Sequence, residues 1–233
     1  MASRTPETER SRCSELILQV IRAYDSPLVR AYCWARFWIL HQRFLDEIGQ
    51  YLPRSGRILD VGCGFGLFSM YYALATPELE VYGIDLDGRR IDQARAAAKR
   101  LGLRNVHYEV ADAARYADAS PFDVIYMLDI VHHIPPSSVQ PLIRRLANAL
   151  PPSRRLLIKD VGRRPAYKRW FTHALDKLMD RKTPVSYWSP EDLQSLLADS
   201  GFRVYRHLMV DFLPYPHVIY ICEKLAPSET VRG

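Results

Sequence analysis

The sequence predicts an α/β fold, a doubly wound and mostly parallel seven-stranded sheet, and three observations carry that expectation. Short apolar runs alternate with amphipathic helical stretches from Arg57 to Leu150, which is the pattern of βαβ units. The first run empties into a glycine-rich turn, Gly62-Cys63-Gly64-Phe65-Gly66, directly ahead of a helical stretch. The chain has 233 residues, of which 48 % are hydrophobic and 25 % charged, a length and balance suited to one α/β core with a terminal extension.

The same arithmetic excludes several classes. The apolar fraction is too high for wholesale disorder, and no collagen-like or low-complexity stretch occurs. No run approaches the roughly 18 apolar residues of a membrane span, and the opening MASRTPETERSRC is charged where a signal peptide needs an apolar stretch. A cytoplasmic location is expected, with peripheral contact at a membrane left open. Cys13, Cys33, Cys63 and Cys222 form no CxxC pair, so neither a disulfide framework nor a metal site is expected.

In chain order, residues 1–13 are polar and poor in apolar anchors, so a flexible tail is expected there. Residues 14–52 read as an N-terminal helical extension. Leu16, Ile17, Val20, Ile21 and Tyr24 recur at helical spacing; Ser26-Pro27 then supplies an N-cap and a first-turn proline. The following helix runs to about Leu52, with Val29, Cys33, Phe37, Leu40, Phe44, Ile48 and Leu52 on its apolar line. Residues 53–225 form the sheet domain. Strands are expected over 57–61, 81–84, 106–110, 123–128 and 156–159, with helices over 67–75, 88–101 and 137–150 between them.

A basic stretch, 162–188, interrupts this rhythm and reads as a helical insert after the fifth strand. Ser189 is an N-cap for the next helix and Gly201 its stop. The runs 202–210 and 217–223 have no helix between them and should pair as an antiparallel hairpin at the sheet edge. Residues 226–233 read as a tail. Charge is uneven: Arg154 to Lys182 holds ten basic and three acidic residues, while the whole chain carries +6.

The strongest chemical signal is Ile58-Leu59-Asp60-Val61-Gly62-Cys63-Gly64-Phe65-Gly66. Alternate glycines let backbone turn sharply and approach a ligand, and the next helix aims its free N–H groups at the same place. A dinucleotide fingerprint needs a third glycine where Leu67 stands. Asp60 would also repel a pyrophosphate: like charges at ~4 Å cost about 4 kcal/mol at an effective dielectric of 20. A cationic nucleoside is favoured instead. Asp85, ending the second strand, is placed for a ribose diol, and Asp112, after the third, for an adenine amino group.

With these residues in place, LDVGCGFG, GIDLD, the ADAA segment at 111–114, FDVIYMLDIVHHI and LLADSGF resemble the successive motifs of class I S-adenosylmethionine-dependent methyltransferases, over roughly Leu40 to Lys224. The resemblance is to the small-molecule branch, of the quinone, polyketide and lipid-tailoring type. It implies a Rossmann-like sheet and S-adenosyl-L-methionine as cofactor, leaving S-adenosyl-L-homocysteine as product. Asp60, Gly62, Cys63, Gly64 and Gly66 would line the methionine and ribose side. Asp85 and Leu86 would hold the ribose end, Ala111, Asp112 and Ala113 the adenine, and Leu128 and Asp129 would close the pocket.

Methyl transfer is an in-line displacement that rewards positioning and dryness, and a proton-bearing acceptor needs a base. His132 and His133 follow the fourth strand, and imidazole titrates near neutrality; both can equally serve only to cap the strand against Pro135-Pro136. Asp160, ending the fifth strand, is a third candidate. The sequence lacks the N-P-P-Y-like segment that nucleobase N-methyltransferases of this resemblance carry, so oxygen or carbon is the expected target. Tyr32, Trp34, Phe37 and Trp38 with Tyr167, Trp170, Phe171, His173, Tyr187 and Trp188 can roof an apolar acceptor or can be plain core. The basic stretch can attract an acidic carrier protein or an anionic membrane surface, or be a solvated face. The competing readings are an RNA methyltransferase that uses this stretch to track phosphates, a non-catalytic nucleoside-binding domain, and a dehydrogenase.

Overall fold

The computed structural model describes residues 6–113, 115–116, 121–161, 186–209 and 217–226. They form a seven-stranded, mostly parallel sheet with six α-helices among the described residues. Two compact units divide it, Met1–Asp112 and Ala113–Gly233.

The first unit begins with α1 (Pro6–Arg22) and α2 (Pro27–Gly49). The flexible tail expected over 1–13 is thus corrected from Pro6 onward. Glu and Arg are good helix formers, Pro6 sits where a helix tolerates proline, and Cys13 is buried with its thiol 3.1 Å from the Tyr71 hydroxyl. Ser26 caps α2 as expected, its hydroxyl accepting from the Val29 N–H. Along α2, Cys33, Phe37, Phe44 and Ile48 turn inward while Trp34 and Trp38 stay exposed and stacked on each other. Phe37 and Phe44 meet Phe68 of α3 (Leu67–Ala75) edge-on or tilted. Strands β1 (Gly56–Val61), β2 (Leu79–Asp85) and β3 (Val106–Val110) run parallel in the order β3-β2-β1. Helix α4 (Gly88–Arg100) links β2 to β3, started by Asp87, whose carboxylate accepts from the Arg89 N–H.

The second unit holds β4 (Val124–Leu128), a 3₁₀ turn at Val131–His133, α5 (Pro136–Asn148), β5 (Arg155–Val161), α6 (Pro190–Asp199), β6 (Phe202–Leu208) and β7 (His217–Lys224). Its strands lie in the order β4-β5-β7-β6, with β4 and β5 parallel. The edge hairpin forms as expected: β7 runs antiparallel to both neighbours and β6 is outermost. β4 is buried at every position, and β7 at its first six, so both read as continuous apolar runs. Ser189 caps α6 by accepting from the Asp192 N–H. The helical insert expected over 162–188 lies outside the described residues up to 185, taking Tyr167, Trp170, Phe171, His173 and most of the basic charge with it; so do Ala114 and the 227–233 tail. No described helix is long and apolar enough to cross a membrane, and no group of three metal-ligating side chains occurs among the described residues.

Candidate active site

In the first unit the chain leaves β1 at Val61 and turns through three left-handed glycines, Gly62 (φ 75°), Gly64 (φ 55°) and Gly66 (φ 73°). That region is open to glycine at little cost and strained for other residues. The turn is tied back to the strand beside it: the N–H groups of Gly62 and Cys63 donate to the Ile84 carbonyl at 2.8 and 3.0 Å. Gly66 then starts α3, and its carbonyl accepts from Met70.

Asp85 organises what surrounds this turn. Its Oδ2 accepts from the Gly64 N–H and its Oδ1 from the Asp87 N–H, each at 2.9 Å, while its carbonyl accepts from Ala111. The carboxylate therefore joins the glycine turn to the start of α4, and the backbone carbonyl of the same residue ties in the chain leaving β3. A carboxylate offers about four acceptor positions, so roughly two remain for a ligand diol. Leu86 (73 % exposed) and Val110 (47 %) stand beside it as open apolar surface at the ends of β2 and β3. Asp112 and Ala113 follow, half-buried.

Asp60 is buried within β1 and accepts from the Ser69 hydroxyl of α3 at 2.5 Å. It therefore acts through its field and by bracing α3. That field registers on its neighbours. The Cys63 thiol is pushed well above the usual thiol range by burial, then by the charges of Asp60 and Asp85; the Tyr108 phenol is pushed up mainly by burial, with Asp60 adding. The turn is thus a negative place, which suits a cation and opposes a pyrophosphate.

Two supports of the turn had no place in the sequence-derived site. Tyr108 of β3 lies beneath it and donates to the Gly66 carbonyl at 3.1 Å; a Cβ on Gly66 would sit 2.3 Å from the Tyr108 hydroxyl, and one on Gly83 within 2.7 Å of its ring. Gly83 pairs with Tyr108 across the ladder, and a glycine inside a strand signals such a close approach. Tyr24, fully buried ahead of α2, donates to the Phe65 carbonyl at 2.8 Å. Tyr32 packs edge-on against Phe65 at 5.5 Å.

The second unit has its own polar cluster where β4 and β5 end. Leu128 is buried, and the Asp129 N–H donates to the Lys159 carbonyl at 2.8 Å before the chain turns left-handed at Asp129 (φ 57°). The Asp129 carboxylate pairs with the Lys159 ammonium, both almost fully buried. Asp129, expected as a cofactor contact, is therefore engaged in an ion pair. One residue along β5, on its opposite face, the Asp160 carboxylate holds His132 twice: Oδ2 accepts from the His132 N–H at 3.0 Å, and Oδ1 bonds the ring Nδ1. His132 is buried, and the half-buried His133 ring lies 4.1 Å from it. The two histidines thus differ: His132 belongs to a buried His–Asp pair, and His133 stands against it.

The glycine turn, the Asp85 carboxylate beside it and the negative surroundings have the chemistry that S-adenosylmethionine calls for. The comparisons with known proteins agree. A family model described as a methyltransferase domain matches residues 34–207. The chain belongs to that family. Its members take S-adenosylmethionine as methyl donor. Among curated relatives, 27-O-demethylrifamycin SV methyltransferase of Amycolatopsis mediterranei is 36 % identical over 51 % of this chain and 44 % of its own. Phosphoethanolamine N-methyltransferase 3 of Arabidopsis thaliana is 39 % identical over 53 % and 24 %. The ubiquinone biosynthesis O-methyltransferase of Aeromonas salmonicida is 32 % identical over 56 % and 62 %. The chain thus spans less than two thirds of these relatives. Among solved structures, the magnesium protoporphyrin IX methyltransferase of Synechocystis PCC 6803 with bound S-adenosylhomocysteine superposes with a TM-score of 0.59 at 18 % identity, over 96 % of this chain and 90 % of that one. At that identity the likeness concerns the fold alone.

Proposed function

We propose that this protein methylates a hydroxyl oxygen of a small, apolar or carrier-bound biosynthetic intermediate. The observation that carries the proposal is the His132–Asp160 pair at the ends of β4 and β5. The sulfonium of bound S-adenosylmethionine supplies a transferable methyl group. On this chain, the glycine turn and Asp85 orient the nucleoside, and the buried carboxylates favour its positive charge. With Nδ1 committed to Asp160, Nε2 is the nitrogen of His132 that takes the acceptor proton, and Asp160 stabilises the imidazolium that results. A hydroxyl needs such a base, and methylation at carbon remains the second outcome the same pair would serve. The names of two relatives, 27-O-demethylrifamycin SV methyltransferase and ubiquinone biosynthesis O-methyltransferase, support oxygen.

The test is incubation with methyl-labelled S-adenosylmethionine and a cell extract, followed by mass identification of labelled species. A labelled small hydroxylated molecule, lost with His132→Gln, is the expected result. Label confined to RNA or protein would overturn the substrate class, and full labelling by His132→Gln would remove the base.

A further inference from the structure

Outside the turn that holds it, His132 meets a segment that the proposed chemistry has not used. Ser186 donates its N–H to the His132 carbonyl at 2.8 Å, and the Tyr187 ring lies over the imidazole at a centroid distance of 5.7 Å and only 11° from parallel. The geometry points to Tyr187 as a positioning residue that fixes the imidazole plane of His132 and favours its charged form. This inference rests on the proposed role of His132 as base.

Two independent restraints act on one ring. Asp160 fixes the edge that carries Nδ1, and the offset-stacked Tyr187 ring adds a restraint on the plane. The π-face of a phenol also attracts a cation, so an imidazolium formed under Tyr187 is stabilised relative to the neutral ring. The charged and titratable groups that meet His132 include Asp160 from β5, His133 from the same 3₁₀ turn, and Tyr187 from the segment before α6. Tyr220 of β7 feels Asp160 and is held well above the usual phenol range, mainly by burial, so it stays neutral throughout the titration of His132. Asp160 and Tyr187 both favour protonation; His133, when charged, opposes it. A base that must receive a proton and then release it gains from this balance. The segment Ser186–Trp188 also leads directly into α6 through the Ser189 cap, so the stack is anchored to a regular element.

The test follows the ring itself and needs no acceptor. The full-length protein, with ¹³C-labelled histidine, is titrated by NMR as wild type, Tyr187→Phe, Tyr187→Leu and Tyr187→Met, with His132→Gln identifying the signal. Tyr187→Phe keeps the stack and should leave the His132 midpoint unchanged. Tyr187→Leu should move it to lower pH by about half a unit, the size of a modest cation–π contact. Tyr187→Met should do the same, and it serves if the leucine variant does not fold. An unchanged midpoint in a folded leucine or methionine variant would overturn this inference alone. Undiminished labelling by His132→Gln in the extract experiment would instead overturn the base, and the catalytic meaning of the stack with it.

Discussion

Replacing Asp85 separates a carboxylate that binds a diol from one that merely ends a strand. In the structure its two oxygens already accept the Gly64 and Asp87 N–H groups at 2.9 Å, and a bound ribose would use the acceptor positions left over. Asp85→Asn keeps one acceptor oxygen and turns the other into a donor that faces an N–H. At least one charge-assisted hydrogen bond, about 1.5–3 kcal/mol, is lost, and the glycine turn loosens on one side. At 1.36 kcal/mol per decade that corresponds to roughly 10- to 150-fold weaker binding. Asp85→Ala, which frees both N–H groups, should fall at or beyond the weak end. Isothermal titration calorimetry with S-adenosylhomocysteine reads this directly, and thermal unfolding without ligand reports how much of the loss is structural. Affinity unchanged in both variants would refute the assignment of Asp85 to the nucleoside.

Gly66→Ala should lower stability by about 2–4 kcal/mol in denaturant titration, since it combines left-handed strain with a Cβ driven into Tyr108. Gly64→Ala meets open space and should cost only about 1 kcal/mol; equal costs for the two would contradict the packing described. Lys159→Met takes the ammonium away from the buried Asp129 carboxylate and should destabilise by about 3–5 kcal/mol, with Lys159→Met/Asp129→Leu recovering much of it in the same assay. Burial holds Cys33 up at about 12, so folding keeps its proton where the unfolded chain loses it. Its contribution is complete below pH ~9, the unfolded thiol range, and is lost as pH rises towards 12. The melting temperature should therefore decline above pH ~9, and a flat profile to pH ~11 would contradict the sign.

The sheet was readable because its signals are local. α3 (Leu67–Ala75) and β3 (Val106–Val110) fall where the apolar runs place them, and the glycine spacing announces three positive φ angles. The Asp85–Gly64 bond joins residues 21 apart and His132–Asp160 residues 28 apart. Sequence names such residues as candidates, but only strand register pairs them. Asp60 and Asp129 show the limit from the other side. Both were legible as acids at strand ends, yet Ser69 and Lys159 occupy them, partners that spacing alone does not reveal. The start of α1 departs from the expected tail because helix propensity over residues 6–13 prevails where apolar anchors are few, and Cys13 is buried. Tyr108 and Tyr24 act through hydroxyls on backbone carbonyls, and only the glycine opposite Tyr108 hints at either.

The negative, glycine-lined turn between β1 and α3 is expected to accept the S-adenosyl nucleoside and to refuse a pyrophosphate. Parallel calorimetric titrations of the full chain with S-adenosylhomocysteine and with NAD address it most directly. Saturable one-to-one binding of S-adenosylhomocysteine with no detectable heat from NAD is the result expected; NAD binding with S-adenosylhomocysteine silent would contradict it.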